Sequence, residues 1–268
     1  IFIALGIFGI FSVLPLVLTV SNAFKPLHEL FLFPPRFIVR NPTLDNFSML
    51  FSLLSNSWVP FSRYFFNTVF ITVAGTLGHI LVCSLAAYPL AKHPRMPGNK
   101  VIFQMIILSM MFHTIVTDVV NYITMSSIGF IDTYLAIIVP AFGGSFGMFL
   151  MRQFMTQIPD SLLEAAKIDG AGEYRIFWQI VMPNVKSAWL TLAIFSVQGL
   201  WNGQHTTYIY REELKTMPYA MSQIVAGGII RAGAHAAVNV VMMVVPITFF
   251  IVSQSKIIET MATSGMKE

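Results

Sequence analysis

A stripe of polar residues interrupts the third long apolar stretch of the sequence. His113, Thr117 and Asn121 recur every four residues, and Asp118 and Tyr122 lie beside them. A helix would bring these side chains to one side, in what we predict to be its outer half. Polar side chains are costly within a bilayer, so the stripe predicts either a path for a polar solute or pairing with a neighbouring helix. An ionised Asp118 must in either case reach water or a partner.

A second set of candidate binding residues ends the fifth apolar stretch. Trp201, Asn202 and Gln204 combine an aromatic face with amide groups. This combination suits a sugar ring, which offers an apolar face and many hydroxyls. Tryptophan is also a common anchor at the membrane surface, and the sequence leaves both interpretations of Trp201 open.

Motifs for nucleotide hydrolysis and for metal binding are absent from the sequence. It contains no GxxxxGKS/T phosphate loop and no HExxH. Its six histidines are scattered without the spacing of metal ligands. We therefore expect neither an enzyme nor a metal site, and no cofactor on this chain, so that energy from ATP must come through a partner.

Composition is that of an integral membrane protein. Hydrophobic residues make up 56% of the sequence and charged residues only 10%, whereas about a quarter of residues are charged in soluble domains. The formal net charge is +4, but the basic residues are spread over the loops and form no patch of the kind that binds nucleic acid. The single cysteine, Cys83, excludes an intrachain disulfide and is expected to pack in the core.

Six apolar stretches approach the about 20 helical residues that a bilayer core of about 30 Å requires. We therefore predict an all-α, polytopic membrane protein with about six transmembrane helices. The predicted spans are residues 2–22, 64–91, 101–126, 134–151, 187–204 and 236–254. The first span and a proline-rich external loop form one predicted part, residues 1–63, and residues 64–268 form the transmembrane core. Asn67 and His79 are single polar residues within a span, for which we expect bonds to neighbouring helices.

The longest polar interruption between spans, residues 159–183, is too regular for a linker. Ser161 followed three residues later by Glu164 is typical of a capping box at a helix N-terminus. Gly170 offers a C-terminal stop. The pattern predicts a helix of roughly eight residues over 162–169, about 12 Å long.

A second amphipathic run follows this helix and begins near Glu173. The residues spaced for one face are Tyr174, Phe177, Trp178 and Val181, and Pro183 is expected to end the run. Two short helices joined by a glycine turn, placed between two spans, must lie at a membrane surface. They form a plausible docking device for another protein, because small residues allow close approach to the backbone.

The spacing of residues in this interruption resembles a known signature. The matching residues are Glu164, Ala165, Ala166, Gly170, Ile180 and Pro183, with Met182 where leucine is usual. This pattern is similar to the EAA loop of the membrane-spanning subunits of binding-protein-dependent ABC importers. The segments TLDNF at 43–47 and IDGA at 168–171 resemble the carbohydrate-uptake branch of that family, to which the maltose-transporter permeases belong.

The resemblance implies a permease subunit that forms half of the translocation pathway of an ATP-driven importer for a sugar or oligosaccharide. It also implies a second permease subunit, homologous and not identical, two ATP-binding subunits that carry ATP and Mg, and an extracytoplasmic solute-binding protein. The EAA loop would occupy about 152–186. The residues implied in coupling to the ATPase are Glu164, Ala165, Ala166, Asp169, Gly170 and Pro183.

Lysine and arginine predict the orientation. If loop 152–186 is cytoplasmic, basic residues are denser in the inside loops than in the outside loops, and residues 92–100 contribute most clearly. Six spans then place both termini in the cytoplasm. The resemblance adds the bacterial cytoplasmic membrane as the location.

Other functions stay open from the sequence. One is an ABC permease for peptides or neutral amino acids, since the lack of lysine or arginine deep in a span argues only against anionic solutes. Another is an ion-coupled secondary transporter with His113 and Asp118 as its relay. A third is a membrane scaffold or receptor that transports nothing.

Overall fold

A computed structural model describes residues 2–55, 59–112, 114–226, 228 and 231–265. Within these residues every regular element is helical, as the sequence predicts. The helices are α1 (Phe2–Ala23), α2 (Leu27–Leu30), α3 (Asp45–Ser55), α4 (Phe61–Lys92), α5 (Asn99–Ser109), α6 (Thr114–Ser127), α7 (Leu135–Ala141), α8 (Ser145–Thr156), α9 (Asp160–Ile168), α10 (Glu173–Asn184), α11 (Lys186–Asn202), α12 (Met217–Val225) and α13 (Ala232–Gly265), with a 3-10 turn at Glu212–Leu214.

Most of the predicted spans are long apolar helices. Among the described residues, α1, α4, α13 and the stretch Leu135–Thr156 are each long and apolar enough to cross a membrane. The pair α10 and α11 is a further candidate, bent by 77° at its break. These elements correspond to all the predicted spans except the third.

The third predicted span, residues 101–126, is not one helix. α5 ends at Ser109 and α6 begins at Thr114. The three amides after Ser109 bond to carbonyls three residues back, which is the spacing of a 3-10 turn. No glycine or proline lies at this position, so the residue pattern carries no sign of the break.

The chain divides into two compact units by its internal contacts. The first unit contains the chain up to Asn67 together with Asn202–Thr206 and Glu212–Ile247. The second unit contains Thr68–Trp201, Thr207–Arg211 and the chain from Thr248. The interruption at 159–183 and the polar stripe of α6 therefore both belong to the second unit.

Buried amide side chains hold the first unit together. Asn67 is fully buried and donates to the carbonyls of Glu213 and Lys215, each at 2.8 Å. Asn46 donates in the same way to the carbonyls of Ala23 and Lys25. Asn67 thus bonds to the backbone of the segment around the 3-10 turn Glu212–Leu214.

The core of the second unit joins the C-terminal half of α4 to α8, α9, α10 and α11. Its most buried members are Cys83, Ala87, Tyr88, Met151, Met155, Leu163, Ile176, Phe177, Val181, Val185 and Leu192. Cys83 therefore packs in the core, as predicted. Because residues of α9 and α10 belong to this core, the two short helices are fixed to the longer ones and do not form a free loop.

Glycines allow α8 to approach α4 closely. The ring of His79 lies against Gly144 and Gly147, and a Cβ at either position would overlap it. His79 Nδ1 shares a hydrogen bond with Ser196 Oγ on α11, which confirms the interhelical bond predicted for this histidine.

Residues 143–147 read GGSFG and match the GxSxG pattern of serine hydrolases. In those enzymes the serine sits on a turn from a strand into a helix. Here helix α7 precedes the motif, and Ser145 begins α8 with its hydroxyl 2.6 Å from that of Ser109. The glycines serve helix packing.

Candidate functional site

Helix α9 is the first part of the predicted coupling loop. It begins at Asp160, directly after Pro159, so Ser161 already lies within the helix. The predicted capping box is therefore wrong, and no described side chain caps this N-terminus. Asp160 in the first turn complements the positive end of the helix dipole instead.

The two sides of α9 have different surroundings. Leu163 and Ala166 are 6% and 9% exposed and pack into the core of the second unit. Glu164, Ala165 and Asp169 are exposed. Of the adjacent residues 164–166, the first two thus face outward, while Ala166 seats the helix.

Gly170 ends α9 as predicted. Its φ is +81°, a conformation that glycine adopts without steric cost. The Ala171 amide bonds to the Ala166 carbonyl, and the Gly170 amide bonds to the Lys167 carbonyl. These two bonds form a Schellman motif, which satisfies the last carbonyls of the helix and turns the chain sharply.

Helix α10 continues the loop but differs from the prediction. Its buried residues include Ile176, Phe177 and Val181, whereas Tyr174 and Trp178 are exposed, so the predicted face was wrong for those two aromatics. A π-helical turn over Phe177–Val181 changes the residue spacing from Phe177 onward, whereas Tyr174 lies before this turn and faces outward. Pro183 does not end the run, which continues to Asn184. The break comes instead at Val185.

Glu173 links three parts of the loop region. One carboxylate oxygen accepts a hydrogen bond from the Tyr88 hydroxyl of α4 at 2.7 Å, and the other lies 2.7 Å from the Lys167 ammonium of α9. His93 lies 3.8 Å from the first oxygen. The hydrogen bonds from Lys167 and Tyr88 hold the pKa of Glu173 below its usual range. The sequence-based reasoning did not name Glu173 as a functional residue, and its partners lie too far along the chain to be read from spacing.

A second polar link ties the start of α9 to α4. Lys92, the last residue of α4, donates to the carbonyl of Ile158 and forms an ion pair with Asp160 at 2.8 Å. Arg152 donates to the carbonyl of Leu90 at 3.2 Å. The C-terminal end of α4 therefore contacts both ends of α9, through Lys92 at the start and through Tyr88 and Glu173 at the end.

The outer side of this loop is unusually apolar for an exposed surface. Ile168 is 86% exposed and Tyr174 is 81% exposed, and Leu162 is also exposed. We define the coupling surface as the exposed residues Leu162, Glu164, Ala165, Ile168, Asp169 and Tyr174. Exposed apolar side chains around a carboxylate are typical of a surface that binds another protein.

The polar stripe lies at α6 in the second unit. Thr117 and Asp118 are exposed, and Asn121 and Tyr122 are half-buried. His113 lies outside the described residues. The described members of the stripe thus share helix α6 and are at least partly exposed.

Tyr122 lies within a cluster of aromatic residues that sequence reasoning missed. Its hydroxyl is 3.0 Å from that of Tyr210, and its ring centroid is 6.3 Å from that of Tyr208. Tyr210 lies 88 positions after Tyr122, and Tyr208 lies two positions before Tyr210, so no local pattern connects them with α6. We call Tyr122, Tyr208 and Tyr210 the tyrosine cluster.

The predicted residues near position 201 divide between the two units. Trp201 is in the second unit and is only 2% exposed, so neither face of its ring is open to a sugar or to lipid. Trp201 therefore packs within the chain's own fold and is neither a platform for a sugar ring nor an anchor at the membrane surface. Asn202 and Gln204 belong to the first unit and are exposed.

Comparison with known proteins identifies the family. Residues 2–259 match the family described as binding-protein-dependent transport system inner membrane component. The chain belongs to this family. Protein LplC of Bacillus subtilis (strain 168) is 32% identical over 222 residues, which cover 81% of this chain and 71% of LplC.

Two further relatives and one solved structure agree with this membership. The sn-glycerol-3-phosphate transport system permease protein UgpE of Yersinia enterocolitica is 34% identical over 149 residues, which span 56% of this chain and about half, 53%, of UgpE. The diacetylchitobiose uptake system permease protein NgcG of Streptomyces coelicolor is 26% identical over 73% of this chain and 63% of NgcG. A bacterial ABC transporter involved in the import of the acidic polysaccharide alginate has the same fold, with a TM-score of 0.79 at 22% identity, over 94% of this chain and 93% of that chain.

The inner membrane component is the membrane-spanning permease of a binding-protein-dependent importer. The chain is therefore a transport permease and works with a solute-binding protein and an ATPase. This membership supports the importer over the ion-coupled transporter and the scaffold that the sequence left open. It also accounts for the paired short helices α9 and α10, which resemble the EAA loop in spacing.

Proposed function

We propose that this permease forms half of the pathway of an ATP-driven importer for a sugar or oligosaccharide. The observation that carries the proposal is the coupling surface, an exposed and partly apolar face held on α4 through Glu173 and Lys92. A permease without its own phosphate loop needs such a face to receive work from a separate ATPase. The ATPase subunits, two in number, would carry ATP and Mg, and this chain would carry no cofactor.

The geometry suggests how closure of the ATPase pair reaches the spans. A cleft of the ATPase would hold α9 through Glu164, Ala165 and Asp169, while Gly170 permits the turn beside it. Movement of α9 passes to α4 by the Lys167–Glu173–Tyr88 contacts at one end and by Asp160–Lys92 at the other. Ala166 and Pro183 act within this chain, one in seating α9 and one in the bent run before α11.

A sugar is the cargo that the relatives favour over peptides or amino acids. NgcG is named for diacetylchitobiose, and LplC and UgpE are permeases of the same family, the latter named for sn-glycerol-3-phosphate. The path would run along Thr117, Asp118, Asn121 and Tyr122, whose side chains are at least partly open. His113, Asn202 and Gln204 remain further candidates for contact with the solute, and Trp201 packs within the second unit.

The remaining partners and the orientation follow from the same proposal. A homologous second permease would complete the pathway, and an extracytoplasmic binding protein would deliver the cargo. Loop 92–100 and both termini would lie on the cytoplasmic side of a bacterial plasma membrane, with the coupling surface.

The test is reconstitution of the complex from mild-detergent purification. Copurification of an ATPase and a second permease is expected, followed by vanadate-sensitive uptake of a labelled saccharide in vesicles that contain ATP. Uptake that continues without ATP hydrolysis and collapses with an uncoupler would reject the ATP-driven importer. Uptake of amino acids or peptides with no saccharide uptake would reject the cargo class.

A further inference from the structure

The tyrosine cluster is held in place by an unusual number of bonds to one carboxylate. Asp132 Oδ1 accepts hydrogen bonds from the backbone amides of Tyr210 and Arg211, at 3.0 and 2.9 Å. Its Oδ2 accepts from the Arg211 guanidinium at 2.7 Å, and the same guanidinium donates to the Asp132 carbonyl. The Asp132 amide donates to the Tyr208 carbonyl at 2.8 Å. Segment 208–211 is thus bound to the turn at Asp132 and is not a loose loop.

The charges in this turn are internally satisfied. Asp132 has a φ of +63°, a region that aspartate enters more readily than most residues. Burial opposes its ionisation, but the donors from Arg211 and Tyr210 hold the pKa of Asp132 below its usual range. Because Arg211 donates to this carboxylate through the side chain and the backbone, it is committed to the turn and is poorly placed to bind an anionic solute.

The hydrogen bonds within the cluster leave acceptors open. Tyr210 Oη donates to the carbonyl of Thr207 at 3.1 Å. Tyr122 must then donate its own proton to Tyr210, 3.0 Å away, because one hydroxyl donates only once. The oxygen of Tyr122 keeps free lone pairs but has no proton to offer. Asp118 lies one helical turn before Tyr122 on α6, and its exposed carboxylate adds further acceptors on the same side of the helix.

An ordinary membrane-surface aromatic belt does not explain this arrangement. Belt residues present single amphipathic rings to lipid headgroups. Here the hydroxyls of Tyr122 and Tyr210 bond to each other, the Asp118 carboxylate lies one helical turn before Tyr122, and Tyr210 remains 56% exposed. Aromatic faces next to hydrogen-bond acceptors suit a ligand that has an apolar ring surface and many hydroxyl donors.

We propose that Tyr122, Tyr208 and Tyr210, with Asp118, form a binding site for a neutral, hydroxyl-rich sugar ring on this chain. The inference rests on the proposed function and narrows its cargo from saccharides in general to uncharged ones. Sugar hydroxyls donate to Tyr122 Oη and to the Asp118 carboxylate, while the ring stacks on the exposed face of Tyr210. A uronic acid, whose carboxylate accepts and cannot donate, is repelled by Asp118.

The experiment measures uptake by the whole complex in vesicles supplied with ATP and binding protein. The probes are diacetylchitobiose and trigalacturonate, both radiolabelled, each added alone. Tyr210→Ala is expected to lower the initial rate for diacetylchitobiose by about tenfold, and Tyr210→Phe, which keeps the ring, by about threefold. Phe37→Ala, a change at an exposed aromatic residue outside the cluster, serves as the matched control and is expected to keep the parent rate.

A change of specificity separates ligand contact from a structural role. Asp118→Asn is expected to raise the ratio of trigalacturonate to diacetylchitobiose uptake by about tenfold, because it removes the repulsion. Parent rates in both Tyr210 variants, or an unchanged ratio in Asp118→Asn, would overturn the site while leaving the importer intact. Preference of the parent for trigalacturonate would do the same. Uptake of neither saccharide by the parent would overturn the cargo class and this site together.

Discussion

Removing the Glu173 carboxylate should weaken the attachment of helix α9 to α4. The contacts of Glu173 limit the free energy that can be lost. Glu173 and Lys167 side chains are each 48% exposed, so solvent screens their ion pair, which contributes at most about 1 kcal/mol. The bond from Tyr88 goes to a charged acceptor and is worth about 1.5 to 3 kcal/mol before allowance for this exposure. Glu173→Ala should therefore weaken the attachment of α9 to α4 by about 2 kcal/mol.

Hydrogen exchange read by mass spectrometry tests this value directly. A loss of about 2 kcal/mol should speed exchange of the amides in Asp160–Ile168 by roughly 30-fold, if they exchange through local opening. Glu173→Gln keeps an acceptor for Tyr88 and loses only the charge, so it should show a smaller increase. Gln179→Ala removes an exposed side-chain bond to Arg175 in the same loop and is the matched control.

The pH dependence of the stability that Glu173 contributes follows from the direction of its pKa shift. The folded-state pKa of Glu173 is lowered from its ordinary value of 4.5. Its contribution is therefore fully present above that ordinary value and is lost as pH falls through the lower, folded-state value. Parent and Glu173→Gln should differ throughout the neutral range and converge only in acid. Exchange of α9 at the parent rate in Glu173→Ala would refute the assigned link.

Three further predictions concern the coupling loop, the orientation and the first unit. Gly170→Val should uncouple ATP hydrolysis from uptake, because a β-branched residue at φ +81° costs about 1 to 2 kcal/mol and disturbs the turn. Gly170→Asn should have a milder effect. Equal uptake per ATP hydrolysed in the two variants would contradict this prediction. In intact cells, the cysteine of Arg95→Cys should resist an impermeant thiol reagent, whereas the cysteine of Arg40→Cys should react. The buried Cys83 should not be labelled in either variant. Rapid labelling at position 95 would reverse the predicted orientation. Asn67→Ala should lower the melting temperature, since two carbonyls lose a donor in part-buried hydrogen bonds, at a cost of about 1 to 3 kcal/mol in all. An unchanged melting temperature would contradict the role assigned to these two bonds.

Features that depend on local residue pattern were predicted well from the sequence. Apolar length indicated the spanning helices, and Gly170 indicated the end of α9, because a left-handed backbone position favours glycine. The capping box failed for a local reason as well. Helix α9 begins at Asp160, so Ser161 has helical backbone and does not occupy the N-cap position that a capping box requires.

Features that depend on tertiary packing were not predictable in this way. The π-helical turn in α10 changes which aromatics are buried, and nothing in the residues of Phe177–Val181 announces an extra residue per turn. The break between α5 and α6 is equally unmarked. The contacts of Glu173 with Tyr88, and of Tyr122 with Tyr210, join residues more than eighty positions apart, and a single sequence holds no periodicity at that distance.

The EAA-like motif itself shows how geometry refines a motif. Successive residues on an α-helix are about 100° apart, so Glu164, Ala165 and Ala166 cannot all face a partner. The structure turns Ala166 and Leu163 into the core and leaves Glu164 and Ala165 outside. The three adjacent motif residues therefore have two different roles. Ala166 anchors the helix to its own permease, whereas Glu164 and Ala165 lie where another subunit can reach them. A substitution that enlarges residue 166 should therefore act by displacing α9 from α4, whereas one at residue 165 should act at the coupling surface.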